Sequence, residues 1–209
     1  MIEMLIRGGW VMLPILMASV VSVTFVIERV LFYLRLRSPI SPEELLSLVG
    51  KGKADQALKK SEGIDAPAVR VIREGLLHGN SGYRFAMEAK ALEVVKEMRK
   101  NLSALDTIIT LAPLLGLLGT IVGMIQSFGI ISEVGLGDPN AVTGGVAEAL
   151  IATAAGITVA VATLVPYNYF LSHAERAEEE MEIAATKMEM LLEKSETRGG
   201  AEVRLGMAA

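Results

Sequence analysis

The chain has 209 residues, 52% of them hydrophobic and 21% charged, with a mean hydropathy of +0.46. It has no cysteine, which excludes a disulfide framework and thiolate metal sites, and its net charge of −4 carries no nucleic-acid signal. The charges are segregated rather than spread: residues 8–27, 107–132 and 149–174 hold only Arg-free, Lys-free, Asp-free and Glu-free sequence. Each run reaches the roughly 20 residues that a helix rising 1.5 Å per residue needs to cross about 30 Å of hydrocarbon. A soluble core helix rarely stays uncharged that long, because one face must meet water. The expectation is an all-α protein with three membrane spans.

The first span is expected over residues 9–34. It is read as a retained anchor and not a cleaved signal, because no small-x-small cleavage site precedes Glu28-Arg29. Ser38-Pro39-Ile40-Ser41-Pro42 ends it, since proline disfavours helix in the residue before it. Ser41-Pro42-Glu43-Glu44 reads as a helix start, with Ser as cap, Pro at the first position and acids in the first turn. Short helices follow to about Val49 and over residues 54–60, and residues 66–78 are amphipathic. Gly79-Asn80-Ser81-Gly82 is a turn. From Tyr83 the helical pattern runs without a visible break to Ser132, a helix of roughly 75 Å. The third span continues from Val142 into the charged stretch 175–196, where Met181, Ala184, Ala185, Met188, Leu191 and Leu192 recur helically, with Gly199 onward frayed.

Basic residues set the orientation. The segment 35–106 is rich in Lys and Arg, whereas 133–140 has neither, so the positive-inside rule places the N-terminus outside and the C-terminus in the cytoplasm. Trp10 and Tyr33 suit the two interfaces. The expected division is an N-terminus and first span over 1–34, a cytoplasmic helical region over 35–104 and a second span over 105–132. A periplasmic loop at 133–140, a third span over 141–172 and a cytoplasmic helical tail over 173–209 complete it. The long inner extensions pack as a cytoplasmic helical bundle.

Glu148 is the most informative residue, because it lies about five to seven residues into the third span. A carboxylate at membrane depth costs on the order of 2.5–3.5 kcal/mol and normally faces a bundle interior or water. A later helix start, leaving Glu148 at the interface, is the plain alternative. Small and hydroxyl residues form a stripe in each later span. Pro113, Gly116, Thr120, Gly123 and Ser127 share one face of the second, and Thr153, Gly156, Ala160 and Thr163 one face of the third. Facing stripes would make a narrow path lined by the hydroxyls of Thr120 and Thr153. The same stripes also serve close helix packing, and Gly119-x-x-x-Gly123 is a packing motif in its own right. Glu148 and Thr153 stand about 140° apart around one helix, so different faces or different subunits would have to present them.

The remaining candidates point to structure. Gly135-Leu-Gly-Asp138 matches a Gly-x-Gly-Asp protease pattern, but no second intramembrane Asp accompanies it, and a turn explains it. His78 and His173 lack a clustered ligand set or a nucleophile, and Asn101-Leu-Ser103 is a glycosylation triplet on the expected cytoplasmic side. Glu28-Arg29 marks the inner end of the first span and could dock another helix. No phosphate-binding loop is present, so no bound nucleotide is expected as an energy source; no cofactor, no metal and no enzymatic activity are expected.

Two segments carry a family resemblance. Leu111-Ala-Pro-Leu-Leu-Gly-Leu-Leu-Gly-Thr-Ile-Val-Gly-Met-Ile-Gln-Ser-Phe128 and Gly145-Val-Ala-Glu-Ala-Leu-Ile-Ala-Thr-Ala-Ala-Gly156 closely resemble the signature segments of the MotA/TolQ/ExbB proton channel family, and Tyr167-Asn168 resembles its Tyr-Asn. Span order and the large cytoplasmic loop place the chain nearer ExbB and TolQ than the longer, four-span MotA type. Family members often carry Pro a few residues after the second segment; here that region reads Val161-Ala162-Thr163 and proline comes at Pro166. The resemblance implies a homopentamer in the bacterial inner membrane around two copies of an ExbD- or TolR-like single-span partner bearing an essential Asp. It also implies proton flow that energises outer-membrane work through a TonB- or TolA-like protein. Thr120, Glu148 and Thr153 would be its ion-pathway residues, and Pro113, Gly116, Gly119, Gly123 and Gly156 would pack the helices. A non-conducting membrane scaffold is the competing reading.

Overall fold

The computed structural model describes residues 9–36, 40–79, 82–134 and 139–206. Every regular element among them is a helix: α1 (Met12–Arg35), α2 (Pro42–Gly50), α3 (Ala54–Ser61), α4 (Pro67–Leu77), α5 (Tyr83–Met98), α6 (Leu102–Val134) and α7 (Pro139–Gly206). Three helical stretches, within Met12–Arg35, Tyr83–Gly129 and Thr143–Lys194, are long and apolar enough to cross a membrane. In the second of these the apolar part is α6, because α5 carries Arg84, Glu88, Lys90, Glu93, Lys96 and Glu97. The chain forms two compact units, one of residues 1–29 and 101–170, the other of residues 30–100 and 171–209.

The expected unbroken helix from Tyr83 to Ser132 is corrected by the structure. Arg99, Lys100 and Asn101 interrupt it, and Asn101 takes a left-handed φ of 63°. Asparagine is among the few side chains that enter this region at modest cost. Its amide also donates to Glu28 Oε2 at 2.9 Å, a partner 73 positions away that helical periodicity cannot reveal. A second correction concerns the C-terminal end, where α7 runs on through Gly199 and Gly200 to Gly206 instead of fraying. Extending an existing helix costs far less than nucleating one, so two glycines at about 1 kcal/mol each do not stop it. The expected turns at Ser38-Pro39, Asn80-Ser81 and Gly135–Asp138 lie outside the described residues.

In the first unit α6 and α7 run side by side with almost no side chain between them. Reading across the seam, Ala112 meets Gly156, Gly116 meets Thr153, Gly119 meets Ala152, and Gly123 meets Ala149 and Gly145. The pairing descends one helix as it ascends the other, so the helices are antiparallel. A Cβ added to Gly116 would stand 2.9 Å from the Thr153 Cα, and one on Gly123 would stand 2.9 Å from the Gly145 carbonyl oxygen. Glycine is what lets the backbones approach this closely where the bilayer supplies no hydrophobic drive. Helix α1 packs on this pair through Val11, Met12 and Ile15, against Ala152 with Leu115, Ala155 and Val159. Large apolar side chains elsewhere on α1, α6 and α7, such as Leu13, Val20, Leu114, Ile125, Phe128, Leu150 and Val165, are exposed, as a lipid-facing surface requires.

The second unit is a helical bundle around an apolar core. Ser41 caps α2, its side chain accepting from the Glu44 N–H at 3.3 Å, with Pro42 in the first turn. The core joins Leu45, Leu46, Val69, Ile72, Met87, Val94 and Met98 to Ala174, Ala177, Met181, Ala184 and Met188 of α7. Those α7 residues recur at alternating spacings of three and four, the stripe an amphipathic helix presents to a core. Charge-assisted bonds tie α5 to the same stretch: Arg84 pairs with Glu189 and Glu193, and Arg99 with Glu178 at 2.8 Å.

Candidate functional site in the charge-free helices

Counting 100° per residue, the N-terminal part of α7 divides into three stripes. Gly145, Ala149, Ala152 and Gly156 form the seam against α6. Glu148 lies on one flank of that seam, in phase with Ala152, Ala155 and Val159, the residues that pack on α1. Thr153 lies on the other flank, in phase with Val146 and Leu150. Those two residues line an open groove with Ala149 and with Thr120, Ile121, Met124, Ile125 and Phe128 of α6. Thr120 and Thr153 therefore belong to the same flank of the α6–α7 pair, and Glu148 belongs to the opposite one.

The hydroxyls are held by backbone carbonyls. Thr153 Oγ1 donates across the seam to the Gly116 carbonyl at 2.7 Å, and Thr120 Oγ1 donates within its own helix to the Leu117 carbonyl at 2.6 Å. Each hydroxyl has one hydrogen, so each oxygen keeps its lone pairs as acceptors. In a segment without charges, acceptor oxygens of this kind favour a cation or a protonated acid over an anion. Pro113 is half-buried within α6, beside the seam and not in it, while Gly116, Gly119, Gly123 and Gly156 are in it.

Glu148 is half-buried, and its carboxylate lies directly against Gly9. Gly9 has a φ of 71°, a conformation that side chains adopt rarely, and a Cβ there would overlap the carboxylate. The segment just before α1 is thus a wall of the Glu148 environment. Nothing in the sequence near Gly9 signalled this, because the two residues are 139 positions apart.

Further along, α1 and α7 share a buried hydroxyl pair, Ser22 Oγ and Thr163 Oγ1, 2.6 Å apart. Thr163 donates to the Val159 carbonyl at 2.7 Å, so Ser22 is the donor in the pair. Ala160 is buried on the same helix. Of the third-span stripe, Gly156 and Thr153 meet α6, whereas Thr163 meets α1. At the end of α1 within this unit, Arg29 is 2% exposed and makes a bidentate pair with its neighbour, donating from Nε to Glu28 Oε2 at 2.9 Å and from Nη2 to Oε1 at 2.6 Å. The Asn101 amide completes the cluster. The sequence gives no sign of these roles for Ser22 or for Asn101, which it marks only as the first residue of a glycosylation triplet. Among the described residues no group of His, Asp or Glu could hold a metal ion. His78 Nδ1 lies 3.1 Å from the Glu74 carbonyl, and the His173 ring packs edge-on to Tyr33.

The model of the MotA/TolQ/ExbB proton channel family matches residues 64–183, more than half of the chain. A putative biopolymer transport protein ExbB-like 3 of Synechocystis is 36% identical over 175 residues, covering 79% of this chain and 82% of that protein. The biopolymer transport protein ExbB of Salmonella typhimurium is 31% identical over 175 residues, 77% of this chain and 71% of its own length. The Tol-Pal system protein TolQ of Pseudomonas aeruginosa is 30% identical over 118 residues, covering 56% of this chain and 47% of that protein. The matched region holds both signature segments and the whole α6–α7 seam, and with this coverage the chain belongs to the MotA/TolQ/ExbB proton channel family.

Proposed function

We propose that the chain is the channel-forming subunit of an ExbB/TolQ-like motor in the bacterial inner membrane, with its N-terminus outside and its second unit in the cytoplasm. It works as a homopentamer around an ExbD/TolR-like single-span partner, with two copies of that partner in the pore. The partner's essential Asp exchanges protons with the pathway. The resulting motion energises outer-membrane transport through a TonB-like protein, or envelope maintenance through a TolA-like protein.

The observation that carries this reading is the hydroxyl-bearing flank of the α6–α7 pair. Thr120 and Thr153 place acceptor oxygens on one flank of the charge-free runs 107–132 and 149–174, and Thr120 lines the open groove on that flank. That side is apolar enough to receive a partner's helix, and its oxygens suit the protonated form of that helix's acid. Glu148, toward α1 and Gly9, is then a proton-handling group near the outer end and not a second lining group of the same flank. Catalysis has no part in this reading, because chemistry is limited to proton binding and release.

The glycine seam alone favours a different reading, a scaffold whose small residues only pack helices. Co-reconstitution of the chain with its single-span partner in vesicles, with proton flux read by a pH-sensitive dye, separates the two. We expect Glu148→Ala and Thr153→Val to lose most of the flux while the complex keeps its size. Unchanged flux in both variants, with assembly intact, would sink the channel reading and leave the scaffold. Replacing the proton gradient by a sodium gradient identifies the ion.

A further inference from the structure

Helix α1 keeps step with α7. Gly9, just before α1, lies against the Glu148 carboxylate, and Ser22 bonds Thr163, partners 139 and 141 positions apart. The two helices therefore run in the same direction at a nearly constant offset over about 20 Å. Val11, Ile15, Ser22 and Arg29 are buried at spacings of four, seven and seven residues, which puts them in one stripe. The Gly9–Glu148 and Ser22–Thr163 contacts are both made within one chain, so neither depends on what covers its outer surface.

The apolar part of the stripe does not by itself fix how far α1 slides along α7. Val11, Met12 and Ile15 pack with Ala152, Ala155 and Val159. Hydrocarbon tails are as apolar as these side chains, so exchanging one such contact for another changes little. Ser22 is different. It is 4% exposed, and its hydroxyl oxygen stands 2.6 Å from Thr163 Oγ1, whose own hydrogen goes to the Val159 carbonyl. Ser22 is thus the donor, and only one register brings the acceptor to it. A slide of one turn, about 5.4 Å, separates the hydroxyls and carries Gly9 off the Glu148 carboxylate. A released Ser22 hydroxyl can turn to a carbonyl of its own helix, as serine does in helix interiors, so losing the bond frees the register without unfolding α1.

We propose that Ser22 is a positioning residue for Glu148: its bond to Thr163 sets the axial register of α1 on α7 and thereby holds Gly9 as a wall over the carboxylate. Ser22 does not touch that carboxylate; it acts through α1. The consequence for proton transfer rests on the proton-handling role proposed above for Glu148, and the register itself does not.

The test uses the full chain co-reconstituted with its single-span partner in vesicles, and reads two quantities. One is the initial rate at which a membrane-permeant carbodiimide modifies Glu148, followed by peptide mass spectrometry; the other is proton flux. Ser22→Ala and Thr163→Val each remove one hydroxyl with little change of shape. Both are expected to raise the labelling rate about three-fold, the factor that an average hydrogen bond between membrane helices supplies, and to lower the flux. The double substitution is expected to go no further than either alone, because there is one bond to lose. Thr163→Ser keeps the acceptor oxygen and is expected to label like the unaltered chain. Unchanged labelling in Ser22→Ala and Thr163→Val overturns the proposal. An equal gain in Thr163→Ser also overturns it, and assigns the effect to packing. Faster labelling with normal flux upholds the register and overturns instead the proton-handling reading of Glu148.

Discussion

Asn101 has two separable duties, and they make it a sharp probe of how the chain is held. Its backbone occupies the left-handed region, and its amide bonds the carboxylate that also neutralises the buried Arg29. Glycine satisfies the first duty and not the second; alanine satisfies neither. A left-handed residue with a Cβ costs roughly 1–2 kcal/mol, and a hydrogen bond to a charged group is worth about 1.5–3 kcal/mol. Asn101→Ala is therefore expected to lower the thermal midpoint in detergent more than Asn101→Gly, and both less than Arg29→Leu combined with an unpaired Glu28. Equal midpoints for the two Asn101 variants would show that the backbone conformation contributes nothing. Gly9 is the second residue whose role is steric. Gly9→Val would force the Glu148 carboxylate out of its place, so we expect it to reproduce the flux loss of Glu148→Ala with Glu148 itself intact. Normal flux in Gly9→Val would place the functional position of Glu148 away from Gly9. Both residues escaped a sequence reading, because their partners lie 73 and 139 positions away.

At the scale of elements, helix existence was legible, as was the continuation of α7 into the charged stretch, but the break at residues 99–101 was not. Ser41-Pro42-Glu43-Glu44 announced α2, because capping and proline act within four residues. The 140° separation of Glu148 and Thr153 on α7 followed from helical periodicity, yet which face meets which neighbour depended on the register of α6. The ion pairs of the second unit show the same limit. Arg70 joins Glu97 at 2.6 Å and Glu93 at 3.4 Å, so α4 is tied to α5 by charge as well as by apolar packing. The hydrogen bond from Arg70, opposed by partial burial and aided by its charge, holds the Glu97 carboxyl below its usual value, and the bond to Glu97 raises Arg70. A depressed carboxyl stabilises the fold above its unfolded pKa, near 4.3, and loses that contribution as pH falls through the lower native value. Solvent screening of this half-exposed pair keeps the effect to about 1 kcal/mol or less. Glu97→Gln is expected to flatten the acid side of the stability profile below about pH 5 and to leave stability elsewhere lower by that amount. An unchanged slope between pH 3 and pH 5, in the range of about one unit either side of the ordinary carboxyl value, would exclude the pair as an acid-sensitive tie.

For the whole molecule, the proposed topology is the claim most open to direct test, and the chain suits it because it has no cysteine. Single substitutions Asn140→Cys, Lys53→Cys and Lys187→Cys report on the start of α7 and on two surfaces of the second unit. In intact cells a membrane-impermeant maleimide is expected to label only the first, and in inverted vesicles only the other two. The opposite pattern would reverse the orientation, and with it the side on which the Glu148 end of the helices lies. The sequence by itself determined that there are three spans, that the rest is an amphipathic helical bundle, and that the family signature falls on the last two spans. Those properties are local: hydropathy, charge and periodicity are set by residues within a few turns of one another. The tertiary structure decided that Glu148 and Thr153 lie on opposite flanks of one seam, that Thr153 and Thr120 share a flank, and that Asn101 breaks the long helix. The first two depend on backbones brought within van der Waals contact by glycines in different helices, and the third on an amide–carboxylate bond between residues 73 positions apart; no local pattern encodes either register.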